Sequence, residues 1–185
     1  MPTPLRIAIT AGAAGPWRIT ATHTLAGASL PPAARLAMHE GADPPPPGSG
    51  AWQLLGVTNS NLRYTGETER TRLAGVQQGL GRPPATRAAL IPLSKSEAWW
   101  ELAQDARRAL LEEQSRHIAI GLEYLPAVAR RLIHCRDLGG EFDFLTWFEF
   151  APEDEPAFDD LLRRLRATEE WQYVSREVEL RLARD

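Results

Sequence analysis

Cysteine and lysine are almost missing from this 185-residue chain: Cys135 is its one cysteine, and of 21 basic residues all but Lys95 are arginine. A lone cysteine excludes an intrachain disulfide, so nothing demands an oxidising compartment. No apolar run approaches the roughly 18–20 residues of a spanning helix. The opening MPTPLRIAIT lacks a basic stretch leading into an apolar one, so no signal peptide is expected and the cytoplasm is the expected location. Positive charge is not in excess either. A net charge of −3 and a pI near 5.9 exclude a nucleic-acid surface or a polybasic membrane patch. Metal-site grammar is absent as well, with no HExxH, no paired cysteines and four scattered histidines, His23, His39, His117 and His134. Serine-triad and phosphate-loop signatures are missing too.

What remains is an ordinary globular composition, 43% hydrophobic and 24% charged, long enough for one substantial core. LRIAITAGAAGPWRITATHTL reads as two strands joined by a loop, GADPPPPGSG as a polyproline connector and WQLLGVTNSN as a strand. ETERTRLAGVQQGLG reads as a short helix stopped by glycine, and TRAALIPL as another strand. SKSE matches a capping box, Ser94 to Glu97, opening a helix that sets Ala103, Ala106, Leu110, Gln114 and His117 along one face. ARRLIHCRDLGGEFDFLTWFEF reads as a hairpin around Gly-Gly, with Phe142, Phe144, Thr146, Phe148 and Phe150 on one face. EPAFDDLLRRLRATEE is an amphipathic helix with Pro156 in its first turn. In the closing strand Val178, Leu180 and Leu182 alternate with charges that predict a solvated face.

Residues 86–183 thus read strand, helix, strand, strand, helix, strand, the ferredoxin-like order. The expected fold is α+β: two ferredoxin-like β-α-β units, the N-terminal one truncated (residues 1–85, with the proline-rich loop 43–48) and the C-terminal one complete (86–185). Together they would form one domain over residues 1–185, curled into a dimeric α+β barrel.

The chemistry concentrates in HIAIGLEYLPAVARRLIH, His117 to His134, where an imidazole and an arginine pair interrupt apolar sequence. A single histidine without metal-site neighbours suits the axial position of a haem, whose porphyrin supplies the other four nitrogens. A guanidinium in an apolar strand needs an anion. Side-chain alternation lets only one of Arg130 and Arg131 face inward, toward either an acid of the chain or an anionic substrate over a haem.

His117, the Tyr124-Leu125 pair and ARRLIHCRDL, with Arg130 thirteen residues after His117, resemble the chlorite dismutase family. FDFLTWFEF and RATEEWQYV resemble the segments that follow in its shorter, dimeric members, and the likeness runs from about residue 52 to the end. It implies His117 as proximal ligand to the iron of haem b, one per subunit, and Glu170 (with Glu169 beside it) as the acid accepting its hydrogen bond. Arg130 is implied as the distal arginine, Gln77 or its neighbour Gln78 as a distal glutamine, and Thr146 and Phe148 as distal wall. Lys95 falls where the family has a lysine near the haem propionates. Asn61 and Tyr64 are further propionate candidates, and Trp99 and Trp100 match a tryptophan pair near the pocket.

The implied activity is conversion of chlorite, a small anionic substrate, to chloride and dioxygen by a homodimer that binds neither nucleic acid nor membrane. Four alternatives stand beside it. A coproheme decarboxylase of the same fold is weighed against by Arg130, and a dye-decolourising peroxidase by the lack of GxxDG. The others are a haem-binding or stress protein of the same fold, and a ferredoxin-like dimer without haem.

Overall fold

The computed structural model describes residues 5–41, 50–58, 71 and 79–185. Alternating apolar residues and β-branched stretches set eight strands: β1 Leu5–Gly12, β2 Trp17–Ala26, β3 Arg35–Glu40, β4 Trp52–Thr58, β5 Arg87–Lys95, β6 Ala129–His134, β7 Phe144–Phe150 and β8 Val174–Arg184. They close into a barrel in the order β1-β3-β2-β8-β5-β7-β6-β4, and each pairing is antiparallel.

This corrects the ferredoxin-like α+β expectation. Residues 13–16 and 27–34 join β1 to β2 and β2 to β3, far fewer residues than the dozen or more a crossover helix takes. No β-α-β unit can be built there. Pairing of β2 with β8 and of β4 with β6 then fuses the two halves into one closed sheet, which leaves no strand edge exposed. β3 was not anticipated from the sequence, because Pro31, Pro32 and the short apolar pattern of RLAMHE hide it.

Inward side chains fill the barrel: Ile7, Ile9, Leu36, Leu54, Leu90, Ile133, Leu145, Trp147 and Leu180 are buried there. Trp17 and Trp147 meet edge to face at 5.6 Å across it. Phe142 belongs to this interior cluster rather than to the face of Phe144, Phe148 and Phe150, because β7 begins only after it. β6 and β7 form the hairpin expected around Gly139-Gly140, with His134 opposite Phe144, and its connector adds a 3₁₀ turn, Arg136–Leu138.

Helices cover one outer face. The expected single helix from Ser94 is broken instead. Ser94 and Lys95 still belong to β5, and α1 (Glu97–Glu101) and α2 (Gln104–Arg108) are separated by the extended backbone of Leu102 and Ala103. A π-helical turn, Ala109–Gln114, follows α2. Arg116 then takes a left-handed conformation (φ 53°), and α3 (His117–Glu123) starts at the histidine itself. Glu112 caps α3 from the preceding turn, its carboxylate accepting from the N–H groups of Ile118 at 2.9 Å and Ala119 at 3.3 Å. The amphipathic pattern of EPAFDDLLRRLR does hold as α4 (Glu155–Arg166), with Pro156 in the first turn and Phe158, Leu161, Leu162 and Leu165 buried against the outer faces of β5 and β7. Because α4 lies there, the charged face of β8 is covered rather than solvated: Glu177 and Glu179 are buried. Among the described residues no helix is long and apolar enough to cross a membrane.

Candidate functional site

Between the barrel's outer face and this helical layer lies a mainly apolar cleft, the kind of concave site in which cofactors are held. Its floor is a grid set by strand register. Ala89, Phe148 and Arg130 lie in one row across β5, β7 and β6. Ile91, Thr146 and Leu132 form the next, and Leu93, Phe144 and His134 the third. Period-2 alternation turns all odd β5 positions and all even β6 and β7 positions outward, so Arg130 lines the cleft. Arg131 points the other way and pairs with Glu40 of β3. Burial lowers the Arg130 pKa from its ordinary value.

The opposite wall is α3, α4 and a 3₁₀ turn, Glu169–Tyr173. His117 Nδ1 lies 2.7 Å from Glu170 Oε2, and Lys95 Nζ donates to Glu170 Oε1 at 2.7 Å and to the Glu170 carbonyl at 3.3 Å. The Glu170 N–H donates to Ser115 Oγ at 3.0 Å, which pins the carboxylate to the turn before His117. Burial alone would raise the Glu170 carboxyl. The His117 ring and the Lys95 ammonium outweigh it and hold the carboxyl at about 2. Burial is also the main influence on Lys95 and lowers its pKa, with Glu170 opposing. Lys95 therefore spends its ammonium on Glu170, between the rings of Trp99 at 4.6 Å and Trp171 at 5.5 Å.

Trp99 is 2% exposed, lines the cleft, and its Nε1 has no hydrogen-bond partner among the described residues. Trp100 sits at the rim, stacked on Phe144 at 6.0 Å with its Nε1 donating to Asp143 at 3.2 Å. His134, buried, meets Phe144 edge-on at 5.4 Å. One turn after His117, Gly121 lines the cleft, where a Cβ would come within 3.9 Å of Arg130 Nη1.

The structure thus gathers His117, Glu170, Lys95, Trp99, Arg130, Thr146 and Phe148 around one cleft, with Trp100 at its rim, and it brings Glu170 rather than Glu169 to the histidine. Gln77, Gln78, Asn61 and Tyr64 lie outside the described residues. Trp171, Gly121 and His134 were not singled out in the sequence. Trp171 follows Glu170 directly, and His134 shares the outward period of Arg130, so the strand alternation could have found the second.

This donor set fits a haem. The Nδ1 of His117 is committed to a carboxylate, which leaves Nε2 for a metal in a cleft lined mainly by apolar side chains. Gly121 keeps the helix wall flat, and the buried Trp99 N–H is a donor awaiting an acceptor. Among the described residues no three His, Cys, Asp or Glu side chains converge as a metal cluster.

Residues 50–185 match the sequence model of the chlorite dismutase family. A chlorite dismutase of Ideonella dechloratans is 35% identical over 122 residues, 65% of this chain and 40% of that relative, so the match spans less than half of the relative's length. A dimeric chlorite dismutase from Nitrobacter winogradskyi superposes with a TM-score of 0.89 at 53% identity, over 97% of this chain and 99% of that one. The chlorite dismutase of Candidatus Nitrospira defluvii, solved with imidazole, superposes with a TM-score of 0.57 at 28% identity, over 79% of this chain and 56% of that one.

Proposed function

The chain belongs to the chlorite dismutase family, and from that premise we propose that it is a haem b-dependent enzyme converting chlorite to chloride and dioxygen. The observation that carries the reading is one cleft with a carboxylate-bound histidine on its helical wall and an outward-facing arginine on its strand floor. The whole chain is read as one haem-binding domain. It works as a homodimer, the Nitrobacter winogradskyi relative being a dimeric chlorite dismutase.

Bound in the cleft, a haem would supply a redox-active iron. His117 would hold that iron through Nε2. Glu170, accepting from Nδ1, fixes the tautomer and makes the imidazole more electron-rich. Lys95 keeps Glu170 ionised under burial. Lys95 is also the proposed neighbour of the haem propionates, with Trp99 and Trp100, and with Asn61 and Tyr64 by resemblance.

Arg130 draws a small anion into an apolar space, where a single positive charge acts over a low dielectric. It would orient chlorite within the cleft and hold back any anionic chlorine fragment from escaping. Phe148 and Thr146 wall that space beside it, and Gln77 is the proposed further distal group. Net atoms balance: one chlorite gives one chloride and one dioxygen, with no outside electron donor. Arg130 also separates this reading from decarboxylation of the porphyrin's own propionates, which brings no small anion for the guanidinium to hold.

The test is chlorite added to haem-loaded protein in a sealed oxygen-electrode cell. Near-stoichiometric dioxygen is expected. A haem-loaded protein that releases none sinks the assignment. Arg130→Ala should keep its haem and either lose activity or bleach faster during turnover.

A further inference from the structure

We propose that Glu177 and Arg166 are positioning residues for His117, acting through the indole of Trp171. The inference rests on the reading of His117 as an iron ligand and names a second constraint on its ring.

A hydrogen bond from Nδ1 to Glu170 fixes where one edge of the imidazole points but leaves the ring free to tilt about that bond. Tilt is limited by a neighbouring plane. Trp171 provides one: its ring lies 19° from parallel to His117 with centroids 6.4 Å apart. An indole that is only half-buried could swing, yet its Nε1 donates to Glu177 Oε2 at 2.8 Å. Glu177 itself is 2% exposed, and its other oxygen accepts from Arg166 Nε at 2.9 Å and Nη2 at 2.6 Å.

Charge balance does not require this arrangement. Arg166 already has a buried partner in Glu179, at 2.6 Å. The second oxygen of Glu177 goes to a neutral N–H, and that bond serves orientation. Glu177 stands on β8, a strand of the closed barrel, whereas His117 opens a seven-residue helix in a broken layer. Trp171 therefore references the histidine plane to the barrel that also carries Arg130. A tilted ring would weaken overlap with the iron and change the donation that Glu170 promotes.

The experiment compares haem-loaded wild type, Glu177→Leu, Glu177→Gln and Trp171→Phe, with His117→Ala as control. For each it records the iron–histidine stretching band of the ferrous protein by resonance Raman, the reduction potential, haem affinity and thermal unfolding. Glu177→Leu and Trp171→Phe should shift and broaden the band and loosen haem by about 10-fold or more. Glu177→Gln, which keeps an acceptor for the indole, should restore the wild-type band whatever its thermal stability. A Glu177→Leu protein that folds, binds haem and keeps the wild-type band and potential overturns the proposal. If that variant fails to fold, Trp171→Phe decides in the same way, because it leaves the Glu177–Arg166 pair in place. The control separates the two readings. A band that survives His117→Ala removes the iron-ligand assignment and this inference with it. A band lost there but unmoved in the other variants removes this inference alone.

Discussion

At the scale of the residue, two adjacent arginines have opposite fates because strand side chains alternate. Arg131→Ala breaks only a largely solvent-facing pair with Glu40, worth about 0–1 kcal/mol. Steady-state chlorite turnover should be unchanged in that variant and abolished or short-lived in Arg130→Ala. Equal losses in both would contradict the cleft assignment. Gly121 makes a second residue-scale prediction. Its Cβ position is open apart from Arg130 Nη1 at 3.9 Å, so Gly121→Ala should fold normally while Gly121→Leu fills the wall. Titration with haem should show loss of binding in the leucine variant only. Strand alternation limited the cleft-facing arginine to one of Arg130 and Arg131, whereas His117, expected at the end of the helix from Ser94, opens α3 instead. The partner of Lys95 was not legible. Its ammonium meets Glu170, 75 residues away, and only the packing of the 3₁₀ turn against β5 creates that contact.

At the scale of the element, α4 is legible because its apolar stripe and Pro156 are local signals. The layer before it is not legible, because α1, α2 and α3 are divided by backbone conformations at Leu102, Ala103 and Arg116 that side-chain periodicity does not encode. The alternating charges of β8 looked solvated for the same reason: what covers a strand is a tertiary fact. Arg166 of α4 and Arg181 of β8 grip Glu179 there. Burial works to raise the Glu179 carboxyl, but these two arginines outweigh it and the net shift is downward from 4.5. With a depressed folded pKa, the stabilisation is complete above the ordinary carboxylate range and is lost as pH falls through the folded value. Urea midpoints should therefore decline below about pH 4.5. Glu179→Gln should lower stability at neutral pH by about 1.5–3 kcal/mol and flatten that acid decline. An unchanged acid slope would assign it to other carboxylates.

At the scale of the whole molecule, barrel closure depends on the approach of β4 to β6. A Cβ at Gly56 would lie 2.3 Å from Ile133 Cγ2 and 2.8 Å from both Cys135 Sγ and the His134 carbonyl. Even Gly56→Ala must push β6 outward, and overpacking of this kind costs about 1–3 kcal/mol. Because the moved strand carries Arg130, Leu132 and His134 into the cleft floor, the same variant should also bind haem more weakly. Denaturation and haem titration on one preparation check both effects; weaker folding with unchanged haem affinity would show that the seam and the floor are independent. A barrel was expected, but the pairings that close it were not legible, since β2–β8 and β4–β6 join residues more than 75 positions apart.

The cleft lies outside the barrel wall, and the barrel's own interior is packed with tryptophan and aliphatic side chains. On the proposed reading a haem would lie between a shut cylinder and a layer of short helices. That layer contributes no strand to the barrel, so the cleft is built without interrupting the closed sheet. Haem bound there would stabilise the folded chain by mass action, and its unfolding temperature would then gauge how much haem its surroundings provide.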